Sequence, residues 1–367
     1  MKPSRICACC LLLSLLCRTL TADDDWPQLP DQDGTVNLPA QEWPQKPGPR
    51  HVRVLIHYPQ GNLAAINDQT GLMLSLHNWG GEDCVGTADP QTLANRLNVV
   101  AICVNYLQSG RQASIEDPEP YDFGYLQSLD ALRALWFVGH RLQQAELPYD
   151  DGRLYCTGGS GGGNVTQMAA KLAPRTFACV IDMCGMKKLS DDIAFNLPGG
   201  STLNARWSRD AQSPNFLSAD AQEIRFVAHP QHLITRQQLG SQTKIVVVHG
   251  VDDHTCPIED ARELVANMQA AGVDVEPHFI GEAELDGTVF TSTGHSLGNR
   301  TEIVLCVAGQ YLTPGSEQLL RRNGKSDFEL QQDVRYATST GEFVISYVTG
   351  FPVGRFESRL AAGDDPS

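Results

Sequence analysis

Residues 154–165 read LYCTGGSGGGNV, and Gly158-Gly159-Ser160-Gly161-Gly162 within them fits G-x-S-x-G. A short apolar run precedes the motif and a helix-like segment follows it. That context suits a serine on a tight strand-to-helix turn, its hydroxyl projecting above a sheet. Small residues on both sides let the backbone take a strained turn without a Cβ clash. The helix that starts there points free N–H groups at the place where an oxyanion would form. A glycine-rich turn or a phosphate cradle would look the same in isolation, so the partners of Ser160 decide the chemistry.

A serine hydroxyl is too weakly acidic to attack a carbonyl unaided. An imidazole must take its proton, and a carboxylate must hold that imidazole in the right tautomer. Lys244–Gly250, KIVVVHG, is a continuous β-branched run expected to form a buried parallel strand. It leads into Val251-Asp252-Asp253-His254-Thr255-Cys256-Pro257. Asp252 and Asp253 compete for the acid role. Asp253 is preferred, because it lies four residues after His249 and four before Pro257, as in an H-G-x-x-D-x-x-x-P pattern. Asp252 would then be an ordinary loop carboxylate. Thr293-Gly294-His295-Ser296 follows the strand-like Val275–Ile280. His295 is the expected base, ahead of His254, which would have to point back at the neighbouring acid.

A fourth element lies upstream. Gly71–Leu76 reads as a strand and runs into His77-Asn78-Trp79-Gly80-Gly81. By position the amide of Trp79 is expected to donate to the oxyanion, with the amide of Gly161 as the second donor.

These four elements resemble an α/β-hydrolase over roughly residues 52–312. The Ser, Asp, His order is that of this superfamily, and His77–Gly81 is similar to its H-G-x-G-G oxyanion loop, with Asn78 replacing a glycine. The T-G-G-S-G-G-G run and the apolar segment 177–182 are similar to the prolyl-oligopeptidase-like and secreted carbohydrate-esterase branches, which these motifs do not separate. The resemblance implies a doubly wound, mostly parallel α/β sheet and acyl-enzyme chemistry needing neither cofactor nor metal.

The elements that must position these residues can be read in outline. Residues 52–57 alternate and suggest an edge strand, and Val99–Asn105 suggests a buried one. Tyr125–Gln144 carries an amphipathic pattern through Leu126, Leu129, Leu132, Leu135 and Val138. Helices are expected at 259–271 and 302–312. Residues 23–50, rich in Pro, Asp and Gln, read as an arm or linker, and the catalytic domain spans 51–315. Its polar stretch 187–242 stands where a cap over the active site is commonly inserted. Residues 316–367 read as a small C-terminal β extension, with strands at 328–336, 342–349 and 353–357.

Residues 1–22 join Lys2 and Arg5 to an apolar run ending in Leu20-Thr21-Ala22, the pattern of a signal peptide. A secreted or periplasmic protein without a stable membrane anchor is expected. The net charge of −15 would be near −18 after cleavage, which argues against nucleic acid as a partner. Seven cysteines would remain, at 84, 103, 156, 179, 184, 256 and 306, so at least one thiol is unpaired within the chain. Cys84 and Cys256 flank the oxyanion and acid loops and are the expected pair for any bridge. Cys103 is expected to be a small buried hydrophobe.

The expected function is hydrolysis of carbohydrate or small-molecule esters with short acyl groups. Arg206, Trp207, Arg209 and Phe216 of the cap stretch suggest a polar, sugar-bearing substrate. A serine peptidase of the prolyl-oligopeptidase-like type and a non-catalytic hydrolase-fold binding protein are the alternatives. Oligomeric state is left open.

Overall fold

The computed structural model describes residues 26–198 and 200–359. The expected signal peptide lies outside the described residues.

Eight strands form one sheet: β1 Gly34–Ala40, β2 Arg50–His57, β3 Gly71–Leu76, β4 Val99–Asn105, β5 Leu154–Gly159, β6 Cys179–Met183, β7 Lys244–Gly250 and β8 Val275–Ile280. Their spatial order is β1-β2-β4-β3-β5-β6-β7-β8. β1 runs antiparallel to β2, and β2 antiparallel to β4. Every other pairing is parallel. The central strands are buried on both faces, as their unbroken apolar runs require.

Nine α-helices lie among the described residues: α1 Pro90–Leu97, α2 Tyr125–Gln144, α3 Gly161–Leu172, α4 Asp191–Phe195, α5 Ala219–Ile224, α6 Pro230–Gln238, α7 Ile258–Ala270, α8 Arg300–Leu312 and α9 Asp327–Leu330. The period of two along each strand sorts the core into two layers. Leu72, Leu74, Val180, Ile245 and Val247 pack against α2, α3, α6 and α7. Met73, Ile181, Val246 and Val248 pack against Leu93 and Leu97 of α1 and against Ile303, Val304 and Val307 of α8. None of the described helices is long and apolar enough to cross a membrane.

Two expectations about the ends of the domain are corrected. The edge strand is β1, and β2 lies inside it, so the described part of the expected 23–50 linker, residues 26–50, is not simply a linker. Val36 and Leu38 alternate inward, and Trp26 and Trp43 enter the main core. The polar composition of the segment hid that alternation. At the other end, α9 replaces the start of the expected strand at 328–336. Then β9 Asp333–Ala337, β10 Gly341–Ser346 and β11 Val353–Ser358 form an antiparallel sheet. This extension lies on the helices behind the nucleophile. Tyr336 and Tyr347 are fully buried and donate to the Lys171 and Leu172 carbonyls at the end of α3. Gln41 closes the two ends together. Its amide donates to the Gly354 carbonyl (2.6 Å) and accepts from the Gly354 N–H (2.7 Å).

The stretch 187–242 divides in two. Leu189, Ile193, Ala205 and Leu217 gather with Tyr121, Phe123 and Cys256 in a small core of their own. α6 instead joins the main core through Leu233, against α7 and β9. Only the first part of the expected cap is therefore an excursion from the body of the domain.

Candidate active site

Ser160 sits between β5 and α3 at φ 54°, ψ −120°, in the left-handed half of backbone space. Its N–H donates to the Met183 carbonyl of β6 (2.8 Å), which ties the strained turn to the neighbouring strand. The glycines around it are set by close approach. A Cβ on Gly158 would lie 2.4 Å from Gly162 backbone, and one on Gly162 would lie 2.2 Å from the Leu76 carbonyl. Helix α3 thus starts in direct contact with the ends of β3 and β5.

The structure brings together Ser160, His295 and Asp253. His295 Nε2 is 2.9 Å from Ser160 Oγ, and Nδ1 is 2.8 Å from Asp253 Oδ2. Asp253 is buried, and its other oxygen accepts the Thr255 and Cys256 amides, both at 2.9 Å. Burial pushes the Asp253 carboxyl up. The hydrogen bond and charge of His295, with the Cys256 amide, outweigh burial and hold it below the usual carboxylate range. It is therefore ionised where the imidazole needs it. The rival His254 makes neither contact. Asp252 lies beside the triad and bonds the Thr293 hydroxyl (2.7 Å).

The oxyanion loop meets the elbow backbone to backbone. A Cβ on Gly161 would stand 2.5 Å from the Trp79 nitrogen, so the two amides assigned to the oxyanion are neighbours. Gly161 N–H lies in the first turn of α3, where amides have no acceptor within the helix. The Trp79 indole stacks on Tyr121 (centroids 3.9 Å apart), and its Nε1–H donates to the Ser114 carbonyl (3.1 Å). Behind it, His77 Nδ1–H donates to the Asn78 carbonyl (2.9 Å) and Nε2 lies 2.7 Å from the Ser109 hydroxyl. Burial lowers the His77 pKa to about 4, which keeps the ring neutral under the loop.

Sequence reasoning missed several supporting groups. His249 sits fully buried under the triad acid, its Nε2–H donating to the Cys256 carbonyl (2.8 Å). Burial, then the charge of Lys187, lowers its pKa to about 4. Asp182 of β6 accepts the Gly185 amide (2.8 Å), pairs with buried Lys187 and lies against Gly163 of α3. A lone aspartate within the apolar strand β6, with Lys187 shortly after it, is the signal that could have pointed to it. Cys184, Asp253 and His295 are the one trio among the described residues whose ligand atoms cluster. Burial pushes the Cys184 thiol well up, and Asp253 and His295 are committed to each other. The trio is therefore a triad with a neutral thiol beside it.

Two further expectations are corrected. Cys84 pairs with Cys103, not Cys256, which is a buried free thiol. β4 carries Cys103 directly under the loop that follows Trp79. The cap arginines are already engaged. Arg206 donates to the Glu119 (3.1 Å) and Ser114 (2.7 Å) carbonyls, and Arg209 pairs with Asp191 (2.8 Å). The Trp207 indole N–H donates to the Tyr121 carbonyl (3.0 Å).

Residues 199–307 match the model of a family described as "Protein of unknown function (DUF2920)". No curated protein matches the chain. Among solved structures, an acylaminoacyl peptidase of Pyrococcus horikoshii in an orthorhombic crystal form has TM-score 0.54 at 12% identity, over 78% of this chain and 43% of that one. Its uncomplexed form has TM-score 0.53 at 14% identity, over 80% and 44%. A Mycobacterium tuberculosis puromycin-hydrolyzing peptidase has TM-score 0.52 at 14% identity, over 79% and 42%. The chain spans less than half the length of each. The fold is that of the α/β-hydrolases. The Ser160–His295–Asp253 geometry stands at the ends of its strands.

Proposed function

We propose that this chain cleaves acyl bonds through an acyl-enzyme, and that peptide-type amides are its substrate class. The observation that carries the mechanism is the unbroken line Asp253 Oδ2–His295–Ser160 Oγ, with both contacts under 3 Å. His295 takes the Ser160 proton as the hydroxyl attacks a carbonyl carbon. The amides of Trp79 and Gly161 receive the negative charge that develops on its oxygen. His295 returns the proton to the leaving nitrogen, which departs as the free amine. Water then repeats the cycle and releases the acid.

Two considerations support amides over sugar esters. The solved structures of similar fold include peptidases. The polar groups of the cap stretch that suggested a sugar are occupied by protein partners, while the apolar side chains of Val85, Ile115, Leu197 and Phe216 stand exposed. Export belongs to the same proposal, and the Cys84–Cys103 disulfide supports it, since such bonds persist mainly in oxidising compartments.

The test is a kcat/KM comparison of short peptide amides, aminoacyl amides and acetyl, butyryl and palmitoyl esters, after active-site titration with a fluorophosphonate. Amide turnover lost in step with the titrated serine is the expected result. Turnover of short esters with inert amides would return the chain to the esterase reading.

A further inference from the structure

The face of α3 away from the elbow meets α6 and β9, and it gathers positive charge without a carboxylate. Arg236 of α6 is fully buried, and its Nε, Nη1 and Nη2 have no hydrogen-bond partner among the described residues. Lys171 of α3, also fully buried, donates to the Ile224 (2.7 Å) and Phe226 (2.8 Å) carbonyls. One turn before Arg236, His232 donates from Nε2 to the Ala337 carbonyl (2.9 Å), and its Nδ1 is unpartnered, as is Nδ1 of His229. Tyr336 of β9 closes the group, edge-on to His232 with centroids 5.1 Å apart.

The nearby acids are spoken for. Asp327 pairs with Arg175 and accepts from Thr176. Glu223 bonds Ser339 and acts on His229, at the outer edge of the cluster. The group that acts on Arg236 is Tyr336, and the charge that acts on Lys171 is that of Arg236. Burial lowers the Lys171 pKa well below its usual value, but a guanidinium cannot be deprotonated in a protein, so Arg236 stays charged. A permanent cation in a core, with five N–H donors and no counter-charge, is among the most costly arrangements a fold can hold. Water can satisfy its donors but cannot neutralise it.

We propose that the core between α3, α6 and β9 binds one small monovalent inorganic anion of the halide class, held by the Arg236 guanidinium. The Lys171 Nζ and the His232 ring complete its surroundings. Monovalence follows from a site with one permanent cation. The anion would fasten the C-terminal extension to the helix that begins at the nucleophile elbow.

Bromide is the probe. In crystals of the wild-type chain equilibrated with bromide, an anomalous peak is expected within hydrogen-bonding reach of the Arg236 guanidinium. Ordered water alone at that position overturns the proposal. In solution, replacing gluconate by chloride at constant ionic strength should raise the wild-type Tm by about 2–4 °C. The Arg236→Met variant should lose that chloride dependence. A wild-type Tm equal in the two salts also overturns the proposal. If Arg236→Met fails to fold, both wild-type measurements still decide.

Discussion

Asp252 and Thr293 are joined twice: the Asp252 N–H donates to the Thr293 carbonyl (2.9 Å), and the Thr293 hydroxyl donates to the Asp252 carboxylate (2.7 Å). The acid next to the triad acid therefore fastens the acid loop to the histidine loop. Gly250 makes the same closure possible, since a Cβ there would lie 2.2 Å from the Thr293 carbonyl.

This division of labour separates the two neighbouring aspartates by experiment. Asp253→Asn should lower kcat about 10⁴-fold, because the amide can set the wrong imidazole tautomer. Asp252→Asn keeps both loop contacts available and should cost only on the order of a few-fold. Steady-state kinetics of the two variants checks this, and the opposite ranking would move the catalytic acid by one residue.

Ser160→Ala should abolish fluorophosphonate labelling and lower kcat by roughly 10⁴–10⁶-fold. Among the described residues the hydroxyl bonds His295 alone, so Tm should hardly change. Labelling retained by the alanine variant would place the nucleophile elsewhere.

Gly161→Ala tests the oxyanion geometry. Its new Cβ meets the Trp79 amide at 2.5 Å, so one of the two donors must move. A kcat loss of about 10²–10³-fold is expected, with a smaller change in KM. Unchanged kcat would show that these amides do not hold the oxyanion.

His77 predicts a pH effect on stability. Its folded pKa is depressed to about 4 from 6.5, so below pH 6.5 the unfolded chain takes up a proton that the folded chain refuses. The His77 contribution is complete above pH 6.5, falls steadily towards pH 4 and is lost there. Tm should drop across that window, and His77→Gln should flatten the slope. A variant with the wild-type slope would show that His77 is protonated in the folded protein.

The Cys84–Cys103 bridge closes a 19-residue separation between the oxyanion loop and β4. Replacing both cysteines by serine should lower stability by about 3 kcal/mol. Denaturant unfolding measures it, and a midpoint unaffected by the double change or by reductant would mean the pair is not bonded in solution.

What the sequence determined by itself was mostly local. The G-x-S-x-G turn, the β-branched run Lys244–Gly250 and the spacing of Asp253 from His249 depend on short-range sterics and on a period of two. They named the three residues that the structure brings within hydrogen-bonding reach. The amphipathic period placed α2 at Tyr125–Gln144.

The tertiary structure alone decided what depends on contacts between distant segments. Cys84 met Cys103 because β4 runs beneath the oxyanion loop, a neighbourhood that no local pattern in either segment encodes. The segment around Val36 became the sheet's edge because its backbone pairs with β2, and a ladder of backbone hydrogen bonds is blind to the polar composition that suggested a linker. Arg206 looked free for substrate until carbonyls from 114 and 119 claimed its donors. Burial of Arg236 was invisible for the same reason: a charged side chain on a helix reads as solvent-facing until another layer, here β9, is laid over it.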